Sequence, residues 1–210
     1  MNVAIAVDDV RQNALPSASE AGPAPKRIVV GFGFWIFLLS DIVMFAAFFA
    51  AYAVLLHATA GGPTGAELFS QASVAIETAC LLASSYTCGL MSLAIASQRR
   101  AATYLWAAVT FALGAVFLAL EMHEFADMIA RGASPQRSAF LSAFFTLVGC
   151  HGMHVTAGLI WLIVMMVQVA AKGFRPDVKR RLLCFALFWH ALDIIWVGLF
   201  TVVYLIGVTQ

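Results

Sequence analysis

Five long apolar stretches dominate the sequence and limit what it can fold into. They cover approximately residues 32–56, 73–97, 101–129, 139–171 and 182–207. Each is longer than the roughly 20 residues that a helix needs to cross a bilayer. None alternates strictly between apolar and polar residues, as the strands of a membrane barrel would. The pattern therefore predicts an all-α membrane protein, a bundle of five transmembrane helices.

The composition excludes an ordinary soluble domain. Of the 210 residues, 62% are hydrophobic and only 11% are charged, whereas a soluble domain has roughly a quarter of its residues charged. The formal net charge is +1, which gives no reason to expect a nucleic-acid partner. Membrane lipids are the expected surroundings.

The lysines and arginines predict the orientation in the membrane. Two of them, Arg131 and Arg137, lie in the third loop. The other ten fall on the opposite side: Arg11, Lys26, Arg27, Arg99, Arg100, Lys172, Arg175, Lys179, Arg180 and Arg181. Because basic residues concentrate in cytoplasmic loops, the N-terminus is predicted in the cytoplasm and the C-terminus in the periplasm. We expect residues 1–31 to form a mobile cytoplasmic tail, and residues 32–207 to form a single transmembrane domain.

Ionisable residues inside the predicted spans are the candidate functional residues. Such residues are costly in lipid and usually face the interior of a bundle. The predicted topology arranges them in two layers. An outer layer contains Glu77, Glu121, His123 and Glu124, and a deeper one contains Asp41, His151, His154, His190 and Asp193.

Three interpretations of these residues compete. His151 and His154, at i and i+3, share a helix face and could hold a metal together. Alternatively, one of them could face His190 across a haem. However, the sequence has no HExxH, no CxxCH and no cysteine–histidine cluster. A proton path is also conceivable, although the internal repeats and broken helices of many transporters are missing. The favoured interpretation is structural: the polar groups hydrogen-bond between helices, so no catalytic, cofactor or metal residue is predicted.

Small residues at three positions are expected to let the helices approach closely. These are Gly89, Gly114 and Gly158, each inside a predicted span. Glycine and alanine at helix contacts bring backbones together in membrane bundles. We therefore predict a close interhelical contact at each of the three.

The order of several motifs resembles a known family. The segments "FWIFLLSDIVMFAAFFAAY", "ETACLLASS", "LALEMHEF", "SAFFTLVGCHGMHVTAGLIW" and "LFWHALDIIWVGLFTVVYLIG" occur in that order. Together they resemble subunit III of the haem-copper oxidases, over roughly residues 32–207. The sequence is most similar to the five-span form that serves bacterial ubiquinol oxidases of the cytochrome bo type.

The resemblance implies a function that the residues alone do not give. It implies a non-redox accessory subunit of a proton-pumping quinol oxidase that reduces O2 to water in the bacterial inner membrane. The subunit would support assembly, bind phospholipid and sustain proton uptake. Haem b, haem o and copper would belong to subunit I, its main partner, and subunits II and IV would complete the complex. No cofactor and no catalytic centre are expected on this chain.

Asp41 is the residue with a specific implied role. The family usually carries a carboxylate there, beside a lipid cleft, although in the cytochrome c oxidase branch that residue is commonly glutamate. Two related functions stay open: the chain could be subunit III of a cytochrome c oxidase, or a subunit III homologue associated with a nitric oxide reductase. An independent ion carrier is a third possibility from a different class.

Overall fold

The computed structural model describes residues 26–61 and 71–206 of the chain, with side chains for 28–61 and 73–204. The described residues divide into two units, residues 26–35 and the described part of 36–206. Within the described residues, five helices are long and apolar enough to cross a membrane. This confirms the all-helical prediction. The predicted mobility of residues 1–25 lies outside the described residues.

The five helices follow one another with short connections. They are α1 Lys26–Leu55, α2 Gln71–Ala96, α3 Arg100–Ala130, α4 Ala139–Lys172 and α5 Pro176–Leu199, and a π-helical segment, Phe200–Ile206, continues the last one. At about 1.5 Å per residue, helices of 24 to 34 residues are roughly 36–51 Å long. Each therefore exceeds the hydrocarbon core of about 30 Å.

Two helices begin earlier than the hydropathy pattern predicts. The first begins at Lys26, six residues before the expected start, because the apolar residues Ile28, Val29 and Val30 continue the helix without a breaker. The fifth begins at Pro176 instead of about residue 182. Proline is favoured at the first helical position, so the basic segment that follows is a helix end and not a loop.

Local signals explain the ends of α4. Ser138 precedes the helix in an extended conformation, and its side chain accepts a hydrogen bond of 3.2 Å from the backbone N–H of Leu141. This is the usual N-cap arrangement. At the other end Gly173 has a φ of 67°, which glycine adopts without steric cost.

Helices α2 to α5 form a closed ring of neighbours. Contacts join α2 to α3, α3 to α4, α4 to α5, and α5 back to α2. From residue 36 onwards, α1 contacts this ring through large side chains, since Phe45 lies 5.3 Å from His154 and Phe37 lies 6.5 Å from Phe188, measured between ring centroids. The outward faces are apolar, as a lipid environment requires.

Candidate functional site: the polar interior

Hydroxyl groups on α2 carry most of the polar contacts between helices. Thr78, Ser84 and Ser85 face α5, where two tryptophans and a histidine meet them. The hydrogen bonds are Trp196 Nε1 to Thr78 Oγ1 at 3.1 Å, Trp189 Nε1 to Ser84 Oγ at 3.1 Å, and Ser85 Oγ with His190 Nδ1 at 2.7 Å. We call these six residues the α2–α5 seam. Each bond is worth about 1 kcal/mol and fixes the register of the two helices.

Three further hydrogen bonds join the other neighbours in the ring, and one of them runs from Arg181 Nη1 on α5 to Gln168 Oε1 on α4 at 2.9 Å. Thr87 and Thr110 link α2 to α3 through their hydroxyls at 2.8 Å. The Tyr104 hydroxyl on α3 donates to the backbone carbonyl of Met166 on α4 at 3.3 Å. The polar contacts therefore hold α2, α3, α4 and α5 together.

Trp189 occupies a slot between two glycines. A Cβ on Gly114 would lie 3.0 Å from the Trp189 indole, and a Cβ on Gly158 would lie 2.8 Å from it. Both distances are shorter than normal carbon contacts. The predicted close contacts at these glycines are confirmed. The same prediction is wrong for Gly89, because a Cβ there would meet nothing within 4 Å.

His190 and Asp193 lie one turn apart on α5, facing Ser85. Ser85 is hydrogen-bonded to His190, and Asp193 is near enough to interact with both of these residues. Of the histidines that sequence reasoning singled out, His190 is the one with a side-chain hydrogen bond to a different helix in the described structure. The structural role of the pair stays a prediction.

Replacing His190 with leucine tests that role. The change removes the hydrogen bond between Ser85 and His190 and leaves Asp193 with one partner fewer, at an expected cost of about 1 kcal/mol. We expect the yield of assembled complex to fall while turnover per haem stays normal. His123→Leu, at a histidine with a 77% exposed side chain, is the matched control and should have no effect. Normal yield with abolished turnover in the His190 variant would contradict the structural role.

His151 is enclosed by aromatic rings. Its side chain is completely buried, with ring centroids 5.2 Å from Trp196, 5.9 Å from Phe117 and 6.3 Å from Phe45. In the part of the chain that the structure describes, neither ring nitrogen has a hydrogen-bond partner. His151 thus packs as a flat aromatic group, and not as the interhelical hydrogen-bond donor that the sequence suggested.

We expect His151→Phe to preserve the protein. A phenyl ring fits an aromatic cage and removes two polar atoms that lack partners, so stability should change by less than about 1 kcal/mol. The haem content of the purified complex should also be unchanged. Thermal unfolding and the pyridine haemochrome spectrum measure these two quantities, with His57→Phe at an exposed residue as control. Loss of haem on His151→Phe alone would make His151 a ligand.

His154 and Asp41 face each other between α4 and α1. His154 Nδ1 donates to the backbone carbonyl of Cys150 at 2.8 Å, which requires a proton on that nitrogen. Its Nε2 then lies 4.0 Å from Asp41 Oδ2. This distance is too long for a direct hydrogen bond. The pair is therefore an oriented electrostatic contact, and Asp41 is only partly covered by the protein.

The ionisable residues of the outer layer are divided between the protein interior and its surface. Glu77 and Glu121 are 1% and 2% exposed. Their carboxylate oxygens, and those of Glu124, find no hydrogen-bond partner among the described residues. His123 lies on the surface, where its Nδ1 is 3.7 Å from Asp127 Oδ2. It is two positions from Glu121, about 200° around the helix, so the two cannot face the same interior.

A cavity of about 280 Å³ lies between α2 and α3 beside these carboxylates. Its lining includes Glu77, Glu124, Asp127, His123 and Arg131. A cavity of this size has room for several water molecules. Among the described residues, no three His, Cys, Asp or Glu side chains are grouped to hold a metal ion.

Sequence reasoning missed the serines, threonines and tryptophans of the α2–α5 seam. It looked for charged groups, while the observed bonds are mainly hydroxyl to indole. A signal was present, because Trp189 and Trp196 are seven residues apart and so share a helix face. The hydroxyls that bond these tryptophans, Thr78 and Ser84, are six apart on α2.

Comparisons with known proteins agree on one family. The family described as Cytochrome c oxidase subunit III matches residues 18–208. The chain is 52% identical over 176 residues to "Cytochrome bo(3) ubiquinol oxidase subunit 3" of Pseudomonas aeruginosa, covering 84% of each chain. It is 43% identical to the protein of the same name in Buchnera aphidicola, with 83% of this chain and 90% of the relative covered. It is 42% identical to "Quinol oxidase subunit 3" of Bacillus subtilis, with 83% and 86% covered.

Proposed function

The chain belongs to the cytochrome c oxidase subunit III family, and we propose that it is the accessory subunit of a cytochrome bo-type ubiquinol oxidase. The observation that carries the proposal is the 52% identity to a ubiquinol oxidase subunit 3 over 84% of both chains. The quinol oxidase subunit of Bacillus subtilis, at 42% identity, points to the same type of electron donor.

The reaction of the complex requires redox centres, and we propose that this chain carries none of them. Two quinols give four electrons and four protons to one O2, which becomes two waters, and further protons cross the membrane. Subunit I holds haem b, haem o and copper and carries out these steps. The interior of this chain is built from helix-joining hydrogen bonds and an aromatic cage, as the α2–α5 seam and His151 illustrate. Such an interior suits a rigid partner for subunit I.

The supporting roles are assembly, lipid binding and sustained proton uptake. Subunits I, II and IV are the proposed partners, and the bacterial inner membrane is the proposed location. Asp41 is the residue proposed to face the lipid cleft. It lies on α1, which exposes large apolar side chains such as Val43 and Val54 along its length. A partly covered carboxyl among exposed apolar groups is compatible with a place beside lipid head groups or a partner subunit.

The proposed orientation follows the basic residues. Arg99 precedes α3 and Arg100 begins it, while Lys172 ends α4 and Arg175 caps α5, so we propose that these two loops lie in the cytoplasm. The cavity beside Glu77 then opens near the periplasmic surface. We infer that the N-terminus is cytoplasmic and the C-terminus periplasmic.

Removing this chain from a strain that otherwise keeps the oxidase tests the proposed function. We expect less assembled oxidase in the membranes, together with quinol-driven O2 uptake that decays faster during turnover. Complementation with the full chain should restore both. A normal amount of oxidase with a steady rate would contradict the supporting role. O2 uptake driven by cytochrome c in place of quinol would assign the chain to the other branch of the family.

A further inference from the structure

Five polar side chains converge near one end of the bundle. They come from four elements and are Tyr52 of α1, Glu77 of α2, Glu121 and Glu124 of α3, and Tyr204 of the π-helical segment. The Tyr204 hydroxyl interacts electrostatically with each of the other four. We call these five residues the carboxyl–phenol cluster. From α4 the two tyrosines meet the rings of Phe140 and Phe144, and these contacts bring no charge.

The carboxyls of this cluster are buried without a basic partner. Glu77 and Glu121 are 1% and 2% exposed, and neither their oxygens nor those of Glu124 have a hydrogen-bond partner among the described residues. The ion pairs found in the described part of the chain include none of these glutamates. Nor does that part group three His, Cys, Asp or Glu side chains so that they could hold a metal ion. A buried carboxylate without a partner is too costly to keep its charge, so a proton is the remaining counter-charge.

The cavity between α2 and α3 connects the carboxyl–phenol cluster with the protein surface. Glu77 and Glu124 line it, together with Arg131 and with His123 and Asp127, whose side chains are exposed. The carboxyl oxygens of both glutamates are themselves buried. A proton therefore reaches them from the cavity when one of these side chains rotates.

We propose that Glu77, Glu121 and Glu124 form an internal proton-binding site, which is filled through this cavity and holds the carboxyls in the acid form. Each bound proton turns a carboxylate into a neutral carboxylic acid, which can donate a hydrogen bond within the cluster. Without protons the charges would repel one another in an apolar interior, because Glu121 interacts with both of the other carboxyls. The site is a property of this chain alone, so it does not rest on the reaction or the partners of the complex.

Infrared difference spectroscopy of the full-length purified chain in detergent tests the proposal. The spectra of Glu77→Gln, Glu121→Gln and Glu124→Gln are each subtracted from the parent spectrum at neutral pH. We expect each difference to contain the carbonyl band of a carboxylic acid and to lack carboxylate bands. In D2O the band should shift, since its proton exchanges through the cavity. Asp177→Asn, at a partly exposed residue close to Arg175, is the matched control and should give carboxylate bands alone.

A second measurement does not depend on the folding of a variant. Unfolding the parent chain at mildly alkaline pH should release protons into the medium, because an exposed carboxyl ionises there while an exposed histidine stays neutral. Carboxylate bands in the three glutamate differences would overturn the proposal, and so would unfolding without proton release. An acid band that does not shift in D2O would also overturn it, because the site would then be sealed and not filled through the cavity.

Discussion

Replacing Trp189 with alanine is expected to lower the free energy of unfolding by about 3–5 kcal/mol, the range for removing a buried large aromatic side chain. Trp189 is 1% exposed and lies between Gly114 and Gly158. The change empties the slot and removes the hydrogen bond from the indole to Ser84. Four helices, α2 to α5, thus lose a shared contact at once, which is why we expect one of the largest effects here.

The measurement is unfolding of the purified chain in mixed micelles, followed by circular dichroism as denaturing detergent is added. Trp35→Ala is the control, because Trp35 has 53% of its surface exposed. It should change stability by much less than Trp189→Ala. Equal effects of the two substitutions would mean that Trp189 does not anchor the bundle.

Adding one methyl group at Gly158 is expected to cost about 1–3 kcal/mol, as overpacking of a filled core does. The new Cβ would lie 2.8 Å from the indole of Trp189 and 3.3 Å from the ring of Phe188. Neither ring is the flexible end of a long side chain, so the helices must move apart. Gly158→Ala should therefore lower both stability and the yield of assembled complex, despite the better helix propensity of alanine.

Two controls make the Gly158 prediction specific. Gly89→Ala places the same methyl group in open space and should be neutral or slightly stabilising. In the double variant with Trp189→Ala, Gly158→Ala should cost almost nothing, since the atoms it meets are gone. Residues in contact show such non-additive effects. Additive losses in the double variant would place the strain somewhere other than the Trp189 slot.

The hydropathy pattern predicted the helices well because the bilayer imposes a minimum length on each. Three of the five helices begin and end within two residues of the predicted limits, while α1 and α5 each begin six residues early. The early start of α5 shows a helix segment that hydropathy does not predict, because Lys179, Arg180 and Arg181 are helical although they are charged. Lipid contact ends before the helix does, so polarity marks the membrane boundary and not the helix boundary.

The contacts of individual residues were less predictable. Glycines at 89, 114 and 158 look alike in the sequence, yet only the last two meet a side chain of a neighbouring helix at 3 Å or less. Likewise His151 and His190 are both in apolar helices, but one lies in an aromatic cage and the other bonds to Ser85. Which face of a helix meets which neighbour is decided by packing of the whole bundle, and a single sequence does not record it.

The histidines therefore do not share one role. His190 joins two helices, His154 is oriented by the Cys150 carbonyl towards Asp41, and His151 fills space. Serine, threonine and tryptophan do more of the joining than the ionisable groups. This distribution agrees with a subunit whose interior serves cohesion. The cavity lined by Glu77 and Glu124 lies beside this polar interior.

The most direct test of the accessory-subunit account is a mild-detergent pull-down on the tagged chain. The product is examined by a reduced-minus-oxidised visible spectrum and by quinol-driven O2 uptake, and the haem is then assigned to a chain after separation. The account predicts haem b and haem o signals, quinol oxidase activity, and all the haem on a partner chain. Haem on this chain, or a purified chain with neither haem partner nor oxidase activity, would contradict it.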